Sequence, residues 1–127
     1  MADARVLVVE DEPSARGLLV AILEDDGCRV CAVDDGPAAL DAARAFQPHV
    51  ILCDIGLPRI SGYDVAARLR QQPEFGRTRL IALTGYGQDD DRRRAQDAGF
   101  DYHLTKPIEP DALTALLDSL RPEVDAS

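Results

Sequence analysis

The chain has 127 residues, 46% of them hydrophobic and 29% charged, and a formal net charge of −9. This length and balance predict one globular domain, and the acidic charge argues against direct nucleic-acid binding, because phosphate backbones require a basic surface. No apolar run is long enough to span a bilayer and no basic segment precedes an apolar leader, so we expect a cytoplasmic protein without membrane insertion.

The first predicted strand is the β-rich run Arg5–Val9, and three consecutive acidic residues, 10–12, follow it. Pro13 then opens a helix at a position where its missing N–H costs nothing, and Gly27 ends that helix. Apolar residues at helical spacing predict its buried face: Ala15, Leu18, Leu19, Ile22 and Leu23. Carboxylates directly after the strand would repel a pyrophosphate, which argues against a dinucleotide-binding turn.

The second predicted strand, 29–33, lies beside two of the three cysteines. Cys28 and Cys31 have the spacing of a zinc or redox pair. However, residues three apart on a strand face opposite sides, and no second cysteine pair or histidine cluster completes a tetrahedral site. We therefore interpret these two and Cys53 as small buried or half-buried hydrophobic residues.

Two further strands are continuous apolar runs that end in polar residues. Val50 to Cys53 is followed by Asp54 and a Gly/Pro turn, and Leu80 to Leu83 by Thr84 and Gly85. Such runs, bounded by breakers, are typical of strands buried on both faces in a parallel sheet. The polar residues therefore lie where each strand leaves the core.

Helices are predicted between these strands, over about 36–47 and 61–72, and a different kind of helix over about 88–98. The last of these has three aspartates in its first turn and three arginines behind them, with almost no apolar residues besides Ala95 and Ala98. Since most helical stability comes from packing an apolar face, we expect it to be loosely anchored. It is either a solvated charged face or a mobile, partner-facing element.

The fifth predicted strand covers 100–105 and ends at Lys106. A last helix follows from Pro110, and Pro122 is taken as its end, so the domain spans 1–121 and a short tail 122–127.

Five strand–helix repeats predict an α/β fold, a doubly wound five-stranded parallel sheet with five helices on its two faces. The simplest strand order is 2-1-3-4-5, which places the ends of strands 1 and 3 side by side. The negative charges of three carboxylates at these strand ends, Glu10, Asp11 and Asp54, need a compensating cation. Carboxylate and carbonyl oxygens are ligands that suit Mg²⁺. With a lysine and a hydroxyl at the neighbouring strand ends, the arrangement is typical of a site for a transferred phosphoryl group.

The chain resembles the receiver domain of two-component response regulators, which has a flavodoxin-like fold. The resemblance extends from about residue 5 to residue 120. It is carried by four motifs: Val6-Leu-Val-Val-Glu-Asp-Glu12, Val50-Ile-Leu-Cys-Asp-Ile-Gly-Leu-Pro58, Ile81-Ala-Leu-Thr-Gly85 and Asp101-Tyr-His-Leu-Thr-Lys-Pro107.

The resemblance implies that Asp54 takes a phosphoryl group from the phosphohistidine of a histidine kinase or phosphotransfer protein. It implies a Mg²⁺ site, with Mn²⁺ as an alternative, in which Asp11 and Asp54 are direct ligands. Glu10 acts there through water, and Gly56 offers its backbone carbonyl. Glu10 stands where the family more commonly has aspartate, and its longer side chain should preserve water-mediated binding.

It also implies that Lys106, Thr84, Gly85 and Gly56 hold the phosphoryl group. The family's switch pairs the hydroxyl residue, Thr84, with an aromatic residue three positions before the lysine, and His103 stands there. This departure puts the aromatic relay in doubt, although not phosphorylation. The switching surface would be the loop after Thr84 with the fourth helix, fifth strand and fifth helix.

Two other functions compete with this interpretation. A haloacid-dehalogenase phosphatase needs a second acid two residues after its nucleophile, where this chain has Gly56. A phosphorylation-independent interaction module would be expected to lack Asp54, Lys106 or the acidic pair Glu10-Asp11, and none of these is missing. We therefore expect a signalling domain that catalyses only its own phosphorylation and dephosphorylation. The sequences of the motifs at Asp54 and Lys106 resemble those of hybrid-kinase receivers. The sequence does not identify the downstream target or decide whether the chain forms a homodimer.

Overall fold

The computed structural model describes residues 3–85 and 89–125, with the backbone alone at 89–91. Five strands and five helices alternate along these residues. The strands are β1 (Arg5–Val9), β2 (Arg29–Val33), β3 (Val50–Asp54), β4 (Arg79–Thr84) and β5 (Tyr102–Thr105). The helices are α1 (Pro13–Asp25), α2 (Gly36–Phe46), α3 (Gly62–Arg70), α4 (Asp89–Ala98) and α5 (Pro110–Asp125). No described helix has both the length and the apolar character needed to cross a membrane.

The strands form one parallel sheet in the order β2-β1-β3-β4-β5, which confirms the predicted topology. Alternate residues of each inner strand point to opposite faces, where they form two separate cores. Leu7 and Ile51 pack beneath α2, α3 and α4, while Val8 and Leu52 pack beneath α1 and α5. All four are 0% exposed, as expected for strands covered on both sides.

The helix starts follow from local capping. Glu12 accepts hydrogen bonds from the backbone N–H groups of Ser14 and Ala15 ahead of α1, and Asp35 accepts one from Ala38 at the start of α2. Gly27, with a φ of 87°, occupies the left-handed position after α1, as predicted from its sequence position.

The three cysteines are thiols that are buried or half-buried, in agreement with the prediction. Cys28 packs in the core beneath α1 and α5, and Cys31 packs against the core on the other face of the sheet. The pair is therefore divided by the sheet itself, which removes the metal or redox use that its spacing suggests. Cys53 lies within β3, where burial raises the pKa of its thiol above the ordinary value.

Two sequence predictions are wrong at the level of single elements. Leu18 was assigned to the buried face of α1 but is 54% exposed, because α1 covers the sheet through Leu19 and Leu23. The last helix also continues past Pro122 to Asp125, so the first four residues of the predicted tail are helical. Glu123 there accepts a hydrogen bond from Arg79, with Nε and Oε2 2.7 Å apart.

Helix α4 begins at Asp89 in the structure, and the Gln88 start predicted from sequence lies outside the described residues. Of its described side chains, Ala95 is buried and Ala98 is half-buried, in agreement with the expected sparse packing. Its far end is held by Arg70 of α3, whose guanidinium donates hydrogen bonds to the carbonyl of Gly99 and the carboxylate of Asp101. Arg94 also stacks over the ring of Tyr63, 4.3 Å from its centroid.

Candidate functional site

The carboxyl ends of the strands bring four of the predicted site residues together. Glu10 and Asp11 follow β1, Asp54 is the last residue of β3, and Lys106 follows β5. One carboxylate oxygen from each of the three acids lies within 4.8 Å of the others. The Lys106 ammonium donates to Glu10 Oε1 at 2.7 Å and to Asp54 Oδ2 at 2.9 Å. We call these four residues the acidic cluster.

The electrostatics of the acidic cluster are unbalanced. Glu10 is 0% exposed, and burial raises its pKa despite the hydrogen bond from Lys106; the neighbouring Asp54 raises it further. Burial also disfavours the charge of Lys106, but the hydrogen bonds to Glu10 and Asp54 outweigh this and raise its pKa. One ammonium thus faces three carboxylates.

The donor set fits a hard divalent cation. The carboxylate of Asp11 is exposed to solvent, whereas those of Glu10 and Asp54 are buried, so the acidic cluster is open on one side. Mg²⁺ prefers oxygen ligands and keeps several waters, which an open, carboxylate-lined site permits. A second positive charge would also relieve the repulsion between the acids.

The backbone around Asp54 is held closely. The Gly56 N–H donates to Asp54 Oδ1 at 2.9 Å, so this residue contacts the acid through its amide, in addition to the carbonyl role expected from sequence. Gly62, the first residue of α3, packs on the same turn: a side-chain carbon there would collide with the Asp54 carbonyl oxygen and the Ile55 Cα. This contact requires glycine.

The loop between β3 and α3 is locked to the neighbouring loop before α2. Ile60 packs so closely on Gly36 that a Cβ atom at Gly36 would overlap with it. Arg59 has a φ of 71° and forms an ion pair with Asp35 at 3.6 Å. A non-glycine residue in the left-handed region carries strain, which is tolerated here because the surrounding contacts determine the loop.

Thr84 and His103, the predicted hydroxyl and switch residues, lie outside the acidic cluster, although Thr84 ends β4 at the same edge of the sheet. Thr84 is 1% exposed, and its Oγ1 donates to the Leu104 carbonyl at 3.4 Å. His103 is half-buried on β5 and lines a groove of about 520 Å³ with Phe100 and with Arg92 of α4. Gly85 is exposed, and the rest of the predicted switch loop, 86–88, lies outside the described residues.

Sequence reasoning missed one residue that contacts the backbone of the acidic cluster. Arg16, in the second turn of α1, donates from Nη1 to the carbonyl oxygens of Glu10 at 2.9 Å and Asp11 at 3.4 Å. The only signal in the sequence is an arginine one turn after a helix start that follows three acids. Such a signal does not distinguish this role from an ordinary solvated side chain.

Comparison with known proteins agrees with this geometry. The sequence model of the response regulator receiver domain matches residues 6–118. The chain is 34% identical over 117 residues to an uncharacterised 14.6 kDa protein of Leptolyngbya boryana, covering 92% of this chain and 89% of that one. It is 39% identical over 120 residues to the transcriptional regulatory protein TcrA of Mycobacterium tuberculosis, of which it spans 47%. It spans only 10% of the virulence sensor protein BvgS of Bordetella pertussis, at 42% identity over 119 residues.

Solved structures show the same similarity. The chemotaxis response regulator CheY4 of Vibrio cholerae matches with a TM-score of 0.88 and 28% identity, over 94% of this chain and 99% of that one. The receiver domain of the sensor histidine kinase PA1611 of Pseudomonas aeruginosa, which has a magnesium ion in its active-site cleft, matches with a TM-score of 0.86 and 33% identity over 93% and 97% of the two chains. The protein therefore belongs to the receiver domain family of two-component response regulators.

Proposed function

We propose that Asp54 accepts a phosphoryl group from the phosphohistidine of a histidine kinase or a histidine phosphotransfer protein, in the presence of Mg²⁺ or Mn²⁺. The observation that carries this proposal is the convergence of Glu10, Asp11 and Asp54, with one carboxylate oxygen of each within 4.8 Å of the others. Lys106 adds an ammonium whose Nζ is 2.9 Å from Asp54 Oδ2. Phosphoryl transfer depends mainly on positioning and on charge neutralisation, and both are built into this arrangement.

The chain's own residues position the nucleophile. The Gly56 N–H and the Lys106 ammonium each hold one oxygen of Asp54, which fixes the carboxylate at the end of a fully buried strand. A bond forms between an Asp54 oxygen and phosphorus while the bond between phosphorus and the donor imidazole nitrogen breaks, and that nitrogen keeps the electron pair. The product is an acyl phosphate on Asp54.

Asp11 and Asp54 are the residues that would hold the metal ion directly, with Glu10 acting through water and the Gly56 carbonyl as a further ligand. The ion would supply charge neutralisation for the oxygens of the transferring phosphoryl group. The buried position of Glu10, with both carboxylate oxygens hydrogen-bonded, supports an indirect role: Oε1 accepts from Lys106 and Oε2 from the Glu12 N–H.

Thr84 and His103 are the proposed switch residues. Once Asp54 is phosphorylated, Lys106 and the Thr84 hydroxyl would hold the new oxygens, with the Gly85 N–H as a further donor. Thr84 Oγ1 would then leave the Leu104 carbonyl of β5. His103 precedes Leu104 on that strand and lines the groove against α4. The loss of the hydrogen bond between Thr84 and Leu104 would therefore change the contacts of β5 with the sparsely packed helix α4.

The surface beside Asp54 suits a helical phosphoryl donor. Leu18, 54% exposed, lies on a small apolar groove of about 160 Å³ whose wall also contains Glu10 and Lys106. The other lining residues come from α1, β4 and the segment before α5: Ala15, Leu19, Leu83, Pro107 and Ile108. An apolar surface next to a charged centre would anchor the donor protein while its phosphohistidine reaches Asp54.

The test is phosphorylation by a small-molecule donor. The wild-type protein is incubated with acetyl phosphate with and without Mg²⁺ and analysed by intact mass spectrometry. We expect one phosphoryl group only with Mg²⁺, sensitive to hydroxylamine as acyl phosphates are, and none on Asp54→Asn. Asp34→Asn is the control, because Asp34 is an exposed acid at the same edge of the sheet.

Labelling of Asp54→Asn at the wild-type level would assign the phosphoacceptor elsewhere. Absence of labelling in the wild type and in Asp34→Asn, both with Mg²⁺ present, would contradict the proposed function. In that case the phosphorylation-independent interaction module would become the better interpretation, although no contact among residues 3–85 and 89–125 favours it.

A further inference from the structure

The acidic cluster contains one acid whose side chain is not enclosed by the protein. Glu10 is fixed at every polar group: its N–H donates to the Val33 carbonyl at 3.1 Å, and both carboxylate oxygens are hydrogen-bonded. Asp54 is held by Gly56 and Lys106. Asp11 is exposed, and the direction of its carboxylate therefore depends on how its backbone is held.

Arg16 is the side chain that fixes this backbone. Its Nη1 lies between the carbonyl oxygens of Glu10, at 2.9 Å, and Asp11, at 3.4 Å. The Glu10 carbonyl belongs to the peptide unit that joins the two acids, and the Asp11 carbonyl belongs to the next peptide unit. This one nitrogen carries two N–H groups and contacts both carbonyls, which restricts rotation about the Asp11 backbone more than a hydrogen bond to one carbonyl would.

We infer that Arg16 is a positioning residue for the metal site. It holds the Glu10–Asp11 backbone so that the Asp11 carboxylate faces the other two acids of the acidic cluster. This inference rests on the metal site of the proposed function. It assigns the arginine an action through the backbone of the ligand residues, without contact to the ion or to the phosphoryl group.

Two effects of Arg16 on metal affinity have opposite signs. As a positive charge near the cluster it repels a divalent cation, so its removal alone would tighten binding. As a clamp on Asp11 it favours binding, so its removal would weaken it. Arg16 is half-buried, and screened charges at such positions change affinity by a few-fold. Residues that orient metal ligands typically change affinity by about 10- to 100-fold. The loss of positioning should therefore outweigh the loss of charge, and removal of Arg16 should weaken metal binding.

The experiment separates the two effects with two variants. Mn²⁺ is titrated into the protein and free Mn²⁺ is followed by electron paramagnetic resonance, with Mg²⁺ as the competitor. Arg16→Lys keeps the charge on a side chain one bond too short to place a nitrogen where Nη1 lies, while Arg16→Gln loses both the charge and the reach. We expect both variants to bind Mg²⁺ about 10-fold more weakly than the wild type. Arg44→Gln, which removes an exposed arginine on α2 paired with Asp41, should bind like the wild type.

Each other outcome decides the matter. Tighter binding by Arg16→Gln with unchanged binding by Arg16→Lys would show that the arginine acts only through its charge, and the inference would be wrong. Unchanged binding by both variants would assign Arg16 to stability alone, which urea unfolding in EDTA would measure separately. Failure of the wild type itself to bind Mg²⁺ would contradict the proposed metal site, which is distinct from a failure of Arg16 alone.

Discussion

The two edges of the sheet treat polar groups in opposite ways. At the amino edge, polar groups pair with one another: His49 and Arg5 exchange two hydrogen bonds, with the Arg5 N–H donating to His49 Nδ1 at 3.0 Å and the His49 N–H donating to the Arg5 carbonyl at 2.8 Å. The buried Thr78 hydroxyl likewise donates to the Pro48 carbonyl. At the carboxyl edge, Lys106 binds two carboxylates, those of Glu10 and Asp54, and the third acid, Asp11, has an oxygen within 4.8 Å of theirs.

The comparison indicates where the fold gives up stability for function. Pairing at the amino edge satisfies each group within the protein, which is the ordinary solution for buried polar atoms. In the acidic cluster, burial and then the neighbouring Asp54 raise the pKa of Glu10. A bound divalent cation would relieve the repulsion between these like charges. Charge substitutions at the two edges should therefore have different consequences for the metal-free protein.

Removal of the shared ammonium should have the largest effect. Lys106→Met would leave Glu10 and Asp54 buried without a cation. Breaking a buried ion pair costs about 3–5 kcal/mol, and because the Lys106 side chain is 34% exposed we expect a loss of about 2 kcal/mol in the free energy of unfolding. Urea unfolding in EDTA measures this.

The matched control for this variant lies at the amino edge. Arg79 pairs with Glu123 and with Asp101, and its side chain is 30% exposed. Arg79→Met should lose less, about 1 kcal/mol or below, because neither carboxylate that it leaves is fully buried. Equal losses in the two variants would remove the difference between the edges.

Neutralising one acid at each edge should change stability in opposite directions. Asp54→Asn relieves the repulsion of two other carboxylates and keeps an acceptor for Gly56, so the metal-free protein should gain about 1 kcal/mol. Asp101 instead lies next to two guanidinium groups: it accepts a hydrogen bond from Arg70 at 2.6 Å and lies 3.7 Å from Arg79. It also accepts a hydrogen bond from the Leu80 N–H. Asp101→Asn should therefore lose about 1 kcal/mol.

Thermal or urea unfolding at fixed pH, with EDTA and then with Mg²⁺, checks this prediction. The advantage of Asp54→Asn should shrink as Mg²⁺ is added, because only the wild type has the full ligand set. Destabilisation of Asp54→Asn in EDTA would show that the acidic cluster is satisfied without a metal ion.

The smallest expected effect is a pH dependence at the amino edge. Burial and the neighbouring Arg5 lower the pKa of His49 below its ordinary value of 6.5, and Nδ1 must be unprotonated to accept from the Arg5 N–H. The unfolded chain then binds more protons than the folded one just below pH 6.5. The stability due to His49 is therefore fully present above 6.5 and is lost as the pH falls through the lowered pKa.

The measurement is the difference in unfolding free energy between the wild type and His49→Asn across this pH range. Asparagine keeps an acceptor near the Arg5 N–H and does not titrate. Glu74 and Arg77 line a surface groove together with His49. Both residues are present in the wild type and in the variant, so their contribution cancels in the difference. A difference that does not change with pH would show that the pKa of His49 is the same in the folded and the unfolded chain.

The positions of the strands and the gathering of acids at one edge could be predicted because both follow from short-range patterns. Apolar runs such as Val50 to Cys53 identify buried strands, and the carboxyl ends of parallel strands share one edge. Glu10, Asp54 and Lys106 were placed together on that basis, and the structure brings them together.

What could not be predicted depends on contacts between distant segments. Helical spacing gives an apolar face but not its covered part, so Leu18 was misplaced. Pro122 usually ends a helix, yet Glu123 pairs with Arg79 from the far side of the chain and the helix continues. The hydrogen bonds of Arg16 depend on the path of the loop before α1, which no local pattern encodes.

Gly62 ties helix α3 to the backbone of Asp54. With no side chain between them, the first turn of α3 rests directly on the carbonyl of Asp54, so a shift of this backbone would move the helix as well. A methyl group at this one position should push the Asp54 carboxylate away from Lys106. The sparsely packed α4 can therefore shift without moving Asp54, whereas the start of α3 cannot.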